Sequence, residues 1–261
     1  MIKSRTAQLV FLSMACAIGV IGVISSVGFF DYVFKWDFYI YFTNLSNYLC
    51  VGILIAELVA TIKKKEDSYI TTAPLLKFMG LLAILLTFLV FNLILAPYRD
   101  IALNFDIRSV SLHVIIPVMY VLDWILFYDR KANWKYPLFA VIIPLVYVIY
   151  VYIHAACWGF DSSVMNFVND GALIYPYFFF NIDLYGVGGV LGWLGILAVL
   201  FIGLGYLMFG VDRLILKHQI LSEKNSQKEI QQFKTVASKV ENHENPEQPI
   251  QTPVENLSDN K

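Results

Sequence analysis

The chain has 261 residues, of which 58% are hydrophobic and only 15% are charged, and its formal net charge is −1. A soluble domain of this length carries more charge and less apolar surface, so the composition excludes an ordinary soluble enzyme. It also lacks the basic clusters typical of nucleic-acid-binding proteins. We therefore expect a membrane protein with no nucleic-acid partner.

Six segments are each apolar and long enough to cross a bilayer, since a helical span needs about 20 mostly apolar residues. Hydrocarbon does not satisfy backbone polar groups, which favours helices over open strands. In chain order, the predicted helices cover residues 7–30, 39–62, 75–98, 108–128, 137–157 and 184–209. The sequence thus predicts an all-α, polytopic membrane protein with one six-helix bundle over residues 1–213.

The first segment has the basic start of a signal peptide, with Lys3 and Arg5 before the apolar run. Its apolar stretch continues to Phe30, however, which is longer than a typical signal-peptide core. We favour a retained first helix.

Basic residues near the ends of the predicted helices divide unequally between the two sides. One side receives eleven Lys and Arg residues, Lys77 among them, and the other receives Lys35, Arg99 and Arg108. Because Lys and Arg accumulate in cytoplasmic loops, both termini are predicted to be cytoplasmic, in a cell membrane. Residues 214–261 are rich in Lys, Glu, Gln, Asn and Pro, and we expect a charged, largely disordered cytoplasmic tail in which only 222–240 favours a helix.

Two other residue types have simple interpretations. Cys16, Cys50 and Cys157 show no metal-ligand spacing, so no metal site and no cofactor are predicted. Small residues in the sixth helix, Gly188, Gly192 and Gly195, are spaced to let a neighbouring helix approach closely.

Thr43 and His113 lie inside predicted spans, where polar groups are costly and therefore suggest a functional site. With a rise of about 1.5 Å per residue, each lies roughly 8 to 9 Å below the external edge, so the two could share one layer. Threonine is a nucleophile type and neutral histidine a general-base type. Four other polar residues of the outer half are candidates to orient His113 or to bind an oxyanion: Asn47, Asn92, His154 and Asp183.

Structural interpretations of these two residues stay open. Thr43 could be a packing hydroxyl bonded to the carbonyl four residues back. His113 could make an interhelical hydrogen bond, with Pro117 freeing a carbonyl to accept it. Along the second helix, residues at spacings of three and four form one stripe that is expected to face the interior: Thr43, Asn47, Cys50, Leu54 and Glu57.

Glu57 and Asp123 are acidic residues nearer the predicted cytoplasmic side. A lone carboxylate in hydrocarbon must be neutralised or find a partner. Structural pairing, with each other or with basic loop residues, and proton conduction are both consistent with the sequence.

Three motifs occur together in the chain: Tyr41-Phe42-Thr43-Asn44-Leu45-Ser46-Asn47, then Leu112-His113-Val114-Ile115-Ile116-Pro117 running to Leu122-Asp123-Trp124, and Tyr175-Pro176-Tyr177. In these motifs the chain resembles the androgen-induced-gene and androgen-dependent TFPI-regulating protein family of six-helix membrane proteins, and its bacterial branch in particular. The resemblance covers roughly residues 7–213. It implies a threonine nucleophile at Thr43 and a histidine partner at His113, and, from the animal members, hydrolysis of fatty acid esters of hydroxy fatty acids.

The predicted function is therefore that of an integral membrane lipid-ester hydrolase, whose partner is a membrane lipid or fatty acyl ester. One alternative is a membrane carrier, proton path or sensor that uses Glu57, Asp123 and His113. Another is haem ligation by His113 and His154. The oligomeric state is left open.

Overall fold

The computed structural model describes residues 4–32, 34, 36–64, 71–98, 105–130, 132–158 and 175–244. Over these residues the chain is mostly helical and contains no strand. Six helices are long and apolar enough to span a membrane, which confirms the predicted number and order of apolar helices.

The six helices begin and end within a few residues of the predicted bounds, apart from the end of the last one. They are α1 Arg5–Ser26, α2 Phe42–Lys63, α3 Pro74–Leu95, α4 Ile107–Phe127, α5 Tyr136–Cys157 and α6 Ile182–Glu244. Helix α1 stops before the predicted Phe30 because Gly28 adopts a left-handed conformation, with φ of 84°, which glycine adopts without steric cost.

Local chemistry explains several helix starts. The Ser4 side chain accepts a hydrogen bond from the Ala7 amide at the start of α1, and Asp106 does the same for Ser109 at the start of α4. Pro74 is the first residue of α3, where its missing N–H costs nothing. Helix α2 has no such side-chain cap from Tyr41, so its first amides need other partners.

Helices α1 to α4 supply most of the packed core. Helix α1 contacts α2 and α4, α2 contacts α3 and α4, and α3 also contacts α4 and α5. Helix α1 lies close to its neighbours where it carries glycine: a Cβ on Gly19 would meet Val51 at 2.7 Å, and one on Gly22 would meet Ile116 at 2.6 Å. The stripe predicted on α2 is buried along its whole length, from Thr43 to Glu57.

Two helices contain a π-helical turn, at Val90–Leu95 in α3 and at Ser111–Ile115 in α4. Pro117 follows the second turn and has no N–H to donate to the carbonyl of His113, four residues earlier. That carbonyl instead accepts a hydrogen bond from the Asn92 side chain of α3, at 3.4 Å. Turns of this kind often occur at functional sites, and here they carry Asn92 and His113.

The last helix is longer than the sequence predicts. It continues well past the predicted end at residue 209, to Glu244, with one non-helical residue at Gly186. Residues 214–244 are thus part of this helix, which includes the 222–240 helix favoured by the sequence, and Lys, Glu and Gln are good helix formers; residues 245–261 lie outside the described part. By its internal contacts the chain divides into Met1–Leu214 and Ile215–Lys261.

The glycines of α6 do not have the neighbour that their spacing predicted. A Cβ built on Gly188, Gly192 or Gly195 would meet no other described atom within 4 Å. Within the part of the chain that the structure describes, no helix packs closely against this face.

Candidate functional site

An apolar cavity of about 220 Å³ lies beside the N-terminal end of α2. Its walls come from α2, α3, α5, α6 and the aromatic segment before α6, and four lining residues carry hydroxyls: Thr43, Thr87, Tyr147 and Tyr177. A cavity of about 150 Å³ is large enough to bind benzene, while drug-sized pockets measure about 300–1,000 Å³. The cavity therefore has room for a small apolar group or for part of an acyl chain.

Thr43 is the second residue of α2 and is 9% exposed, within the wall of this cavity. Its backbone amide donates to the Tyr177 phenol oxygen at 3.4 Å. Because α2 begins at Phe42, no helical carbonyl lies four residues before Thr43. The contact that the structure gives Thr43 with a distant segment is the one from its amide to Tyr177.

Two tyrosines from other segments cap the N-terminus of α2. The Phe42 amide donates to the Tyr147 phenol oxygen at 3.1 Å, and Tyr147 in turn donates to the Ile40 carbonyl at 2.9 Å. Tyr177 takes the next amide, that of Thr43. These phenols satisfy helix-end N–H groups that would otherwise lack partners.

The protonation of Tyr177 follows from its surroundings. Burial raises the pKa of the Tyr177 phenol, and hydrogen bonds from Thr43 oppose that rise only in part. Tyr177 is therefore a neutral phenol at physiological pH, with a proton that it can donate.

His113 lies in the π-helical turn of α4 and is 9% exposed. Its Nδ1 is 2.9 Å from the Ser109 carbonyl oxygen, and its ring stacks on Phe91 with the centroids 3.4 Å apart. A carbonyl oxygen only accepts, so Nδ1 carries the proton and Nε2 carries the lone pair in the neutral ring. This is the tautomer that a general base needs.

Asn47 connects the Thr43 segment to the His113 segment. Its side-chain nitrogen donates to the carbonyl of Thr43 at 2.7 Å and to the carbonyl of Leu112 at 3.0 Å. His113 is not among the residues that line the cavity, but Phe91, which stacks on its ring, is one of them. Asn47 thus links the backbone of Thr43 to that of Leu112, the residue before His113, and of the two predicted catalytic residues only Thr43 lies in the cavity wall.

The other predicted orienting residues lie in different places. Asn92 donates to the carbonyls of Phe88 and His113, so, like Asn47, it holds backbone groups. His154 lies with its Nε2 3.1 Å from the Tyr39 hydroxyl. Asp183 is exposed in the first turn of α6. Among the described residues, no group of three His, Cys, Asp or Glu side chains could hold a metal ion.

The two intramembrane acids share one partner, Lys77. Its Nζ lies 2.7 Å from Glu57 Oε2 and 2.5 Å from Asp123 Oδ2, and all three side chains are 0% exposed. The orientation argument treated Lys77 as a cytoplasmic loop cation, and the structure corrects this: Lys77 lies in the first turn of α3. The sequence did indicate that Lys77 lies within the helix, because it follows Pro74 by three residues inside an apolar run.

Sequence reasoning also missed four residues that shape the site. Ser109 precedes His113 by four residues, a helical spacing that could have identified it. Thr87 pairs with Ser46 through their hydroxyls at 2.8 Å. Tyr147 reaches the Phe42 amide and Tyr177 the Thr43 amide from distant segments, and helical spacing carries no signal for such contacts.

We compared the chain with known families, proteins and structures. The chain matches no protein-family model, no curated protein and no solved structure. Its six apolar helices indicate a multi-pass α-helical membrane protein. Any function must be argued from the cavity and the residues around it.

Proposed function

We propose that this protein is an integral membrane lipid-ester hydrolase in which Thr43 is the nucleophile and His113 the general base. The observation that carries the proposal is Thr43 in the wall of an apolar cavity, next to a buried phenol, Tyr177, whose oxygen accepts the Thr43 amide. The Ser109 carbonyl oxygen lies 2.9 Å from His113 Nδ1, which favours the tautomer with the proton on Nδ1 that a general base needs. The family resemblance in the three sequence motifs supports the same two roles.

The proposed hydrolysis has two steps, acylation of Thr43 by the ester and hydrolysis of the acyl-threonine. His113 Nε2 takes the proton of Thr43 as Oγ1 attacks the ester carbonyl, and the tetrahedral intermediate then expels the alcohol, which receives that proton. Water attacks the resulting acyl-threonine with His113 again as the base, releasing the fatty acid and restoring Thr43. The reaction requires Nε2 to come within hydrogen-bond reach of Oγ1 once substrate is bound.

Two further groups have roles in this proposal. The Ser109 carbonyl accepts a hydrogen bond from Nδ1–H of His113 and so orients the ring, as a carboxylate does in other triads. The neutral Tyr177 phenol is the donor for the oxyanion, because it lies beside the attacking hydroxyl and keeps its proton. A donor fixed in position before the reaction stabilises the transition state without reorganisation.

The apolar walls of the cavity support a lipid as the class of substrate. A membrane lipid or fatty acyl ester would place part of its acyl chain among the apolar walls and its carbonyl at Thr43. The family resemblance narrows this to fatty acid esters of hydroxy fatty acids. We further propose one six-helix bundle in the cell membrane, with both termini in the cytoplasm, on the basis of the Lys and Arg distribution.

The carrier or proton-path alternative has less support. It needs Glu57, Asp123 and His113 to act in one relay, but the first two acids are bound to Lys77. Glu57 also lies fourteen residues from Thr43 along α2, which is about 21 Å at the helical rise. That distance is too long for direct proton transfer between the two ends.

The decisive experiment is labelling of the purified protein with a fluorophosphonate probe, followed by lipid-ester hydrolysis assays. Wild type should be labelled and active, and Thr43→Ala should be neither. Thr61→Ala is the matched control, because it removes another buried threonine hydroxyl of α2, one that donates to the Glu57 carbonyl at 2.7 Å. Full turnover by folded Thr43→Ala protein would end the proposal.

A further inference from the structure

Three charged side chains from three different helices meet near the C-terminal end of α2, away from the cavity. Glu57 of α2 and Asp123 of α4 both contact the Nζ of Lys77 of α3, at 2.7 and 2.5 Å. None of the three side chains is exposed. The hydrolase mechanism uses none of them.

The formal charges of this cluster do not balance. Two carboxylates and one ammonium sum to −1 when all three are ionised. Among the described residues, the Cys16 thiol of α1 and the Tyr120 phenol of α4 interact with this cluster, and both are side-chain types that carry no charge at pH 7. The Arg5 guanidinium donates to the carbonyls of Thr61 and Ile62 at the end of α2.

The carboxyl oxygens are not all satisfied either. Within the described residues, Glu57 Oε1 and Asp123 Oδ1 are fully buried and receive no hydrogen bond. A buried ionised carboxylate is costly unless it is paired and hydrogen-bonded, and one ammonium cannot neutralise two. One added proton makes the cluster neutral and removes one of the two buried negative charges.

We propose that Glu57, Lys77 and Asp123 form a proton-binding site that holds one proton on its pair of carboxyl groups in the folded protein at neutral pH. The ligand is a proton and not a metal cation, because the Lys77 ammonium already occupies the position between the two carboxyls. A metal ion would have to displace it. The site does not depend on hydrolase activity.

This site has a thermodynamic signature. Carboxyl groups of an unfolded chain in water are ionised at neutral pH, so folding takes up one proton at the cluster. The folded state then binds more protons than the unfolded state, and stability falls as pH rises. For one proton, the folding equilibrium constant decreases about tenfold per pH unit.

The direct test is infrared difference spectroscopy of the full chain in lipid nanodiscs at pH 7, comparing wild type with Glu57→Gln and Asp123→Asn. Each variant replaces one carboxyl by a neutral amide, which leaves one carboxylate paired with Lys77 and no need for a proton. The carbonyl band of a protonated carboxylic acid should be present in wild type and lost in both variants. Asp183→Asn, which changes an exposed acid, is the control and should retain it.

Unfolding in mixed detergent micelles between pH 6 and 8 gives an independent readout. Wild type should lose stability by about tenfold in the equilibrium constant per pH unit, and at least one single variant should lose that dependence. Wild-type spectra identical to those of both variants, or stability that is independent of pH, would overturn the proposal. Stabilisation by Na⁺ but not by choline at equal ionic strength would also overturn it, in favour of a metal cation.

Discussion

Both ends of α2 bury polar residues on the same face of the helix, but these residues are stabilised in different ways at the two ends. Near the N-terminus, Thr43 and Asn47 are neutral and bind other neutral groups, and Thr43 borders a cavity. Near the C-terminus, Glu57 is an ionisable residue that is fully enclosed with Lys77 and Asp123. Neutral hydroxyls can border open apolar space at low cost, whereas ions in the same helix must be enclosed with partners. This difference separates the end suited to a ligand from the end suited to holding the fold.

The largest effect should come from the cavity end. Thr43→Ala should abolish lipid-ester hydrolysis, His113→Ala should lower kcat by about 10²–10⁴-fold, and the double variant should be little worse than Thr43→Ala because the two act as one unit. Thr43→Ser keeps the hydroxyl and should retain partial activity. Rates should be measured on protein whose unfolding transition matches wild type. Additive losses in the double variant would contradict a shared mechanism.

At the ionic end, Lys77→Met should act on stability. It leaves two buried carboxyls without their cation, and removal of one partner from a buried ion cluster costs about 3–5 kcal/mol. Unfolding in mixed micelles at pH 7 measures this loss. Lys63→Met, on an exposed residue near the same end of α2, should change the free energy of unfolding by less than about 0.5 kcal/mol. Equal effects of the two substitutions would contradict a specific stabilising role for the buried ions at this end of α2.

Tyr177→Phe should have an intermediate effect on turnover and a small one on folding. Loss of an oxyanion donor costs about 10²–10³-fold in kcat, whereas loss of one hydrogen bond costs about 1 kcal/mol of stability. Tyr175→Phe is the control from the same motif. Since burial raises the pKa of the Tyr177 phenol, any alkaline loss of kcat that Tyr177→Phe abolishes should lie above the ordinary tyrosine value of about 10. A change in KM alone would point to substrate binding and away from oxyanion stabilisation.

The smallest effects are expected for His154→Ala and Asp183→Asn. The described contacts of His154 are with aromatic residues, Tyr39 and Tyr150, and Asp183 is exposed. Both variants should keep hydrolysis within about twofold of wild type, as substitutions away from a site usually do. A large loss in either would return that residue to the catalytic group predicted from the sequence.

Composition and apolar run length predicted the six helices well, because the need to satisfy backbone groups in hydrocarbon leaves few other arrangements. Depth along a helix suggested that Thr43 and His113 could share a layer, but it gave no information on which groups their side chains contact. The Tyr177 contact depends on how the segment before α6 folds back, which no local pattern encodes. Lys77 was misread because a basic residue near a helix end usually faces water, and only tertiary packing shows that it is enclosed.

The direction in which the His113 ring points depends on the number of residues in the π-helical turn at Ser111–Ile115. Such a turn is equivalent to one residue inserted into an α-helix, and each helical residue turns the chain by about 100°. A lineage that lost any one residue from this turn would keep its hydrophobicity and its histidine, yet the part of α4 before the turn would be rotated against the part after it. A sequence alignment would show this loss only as a single gap. Proteins with and without that residue would nevertheless have differently arranged sites around the histidine.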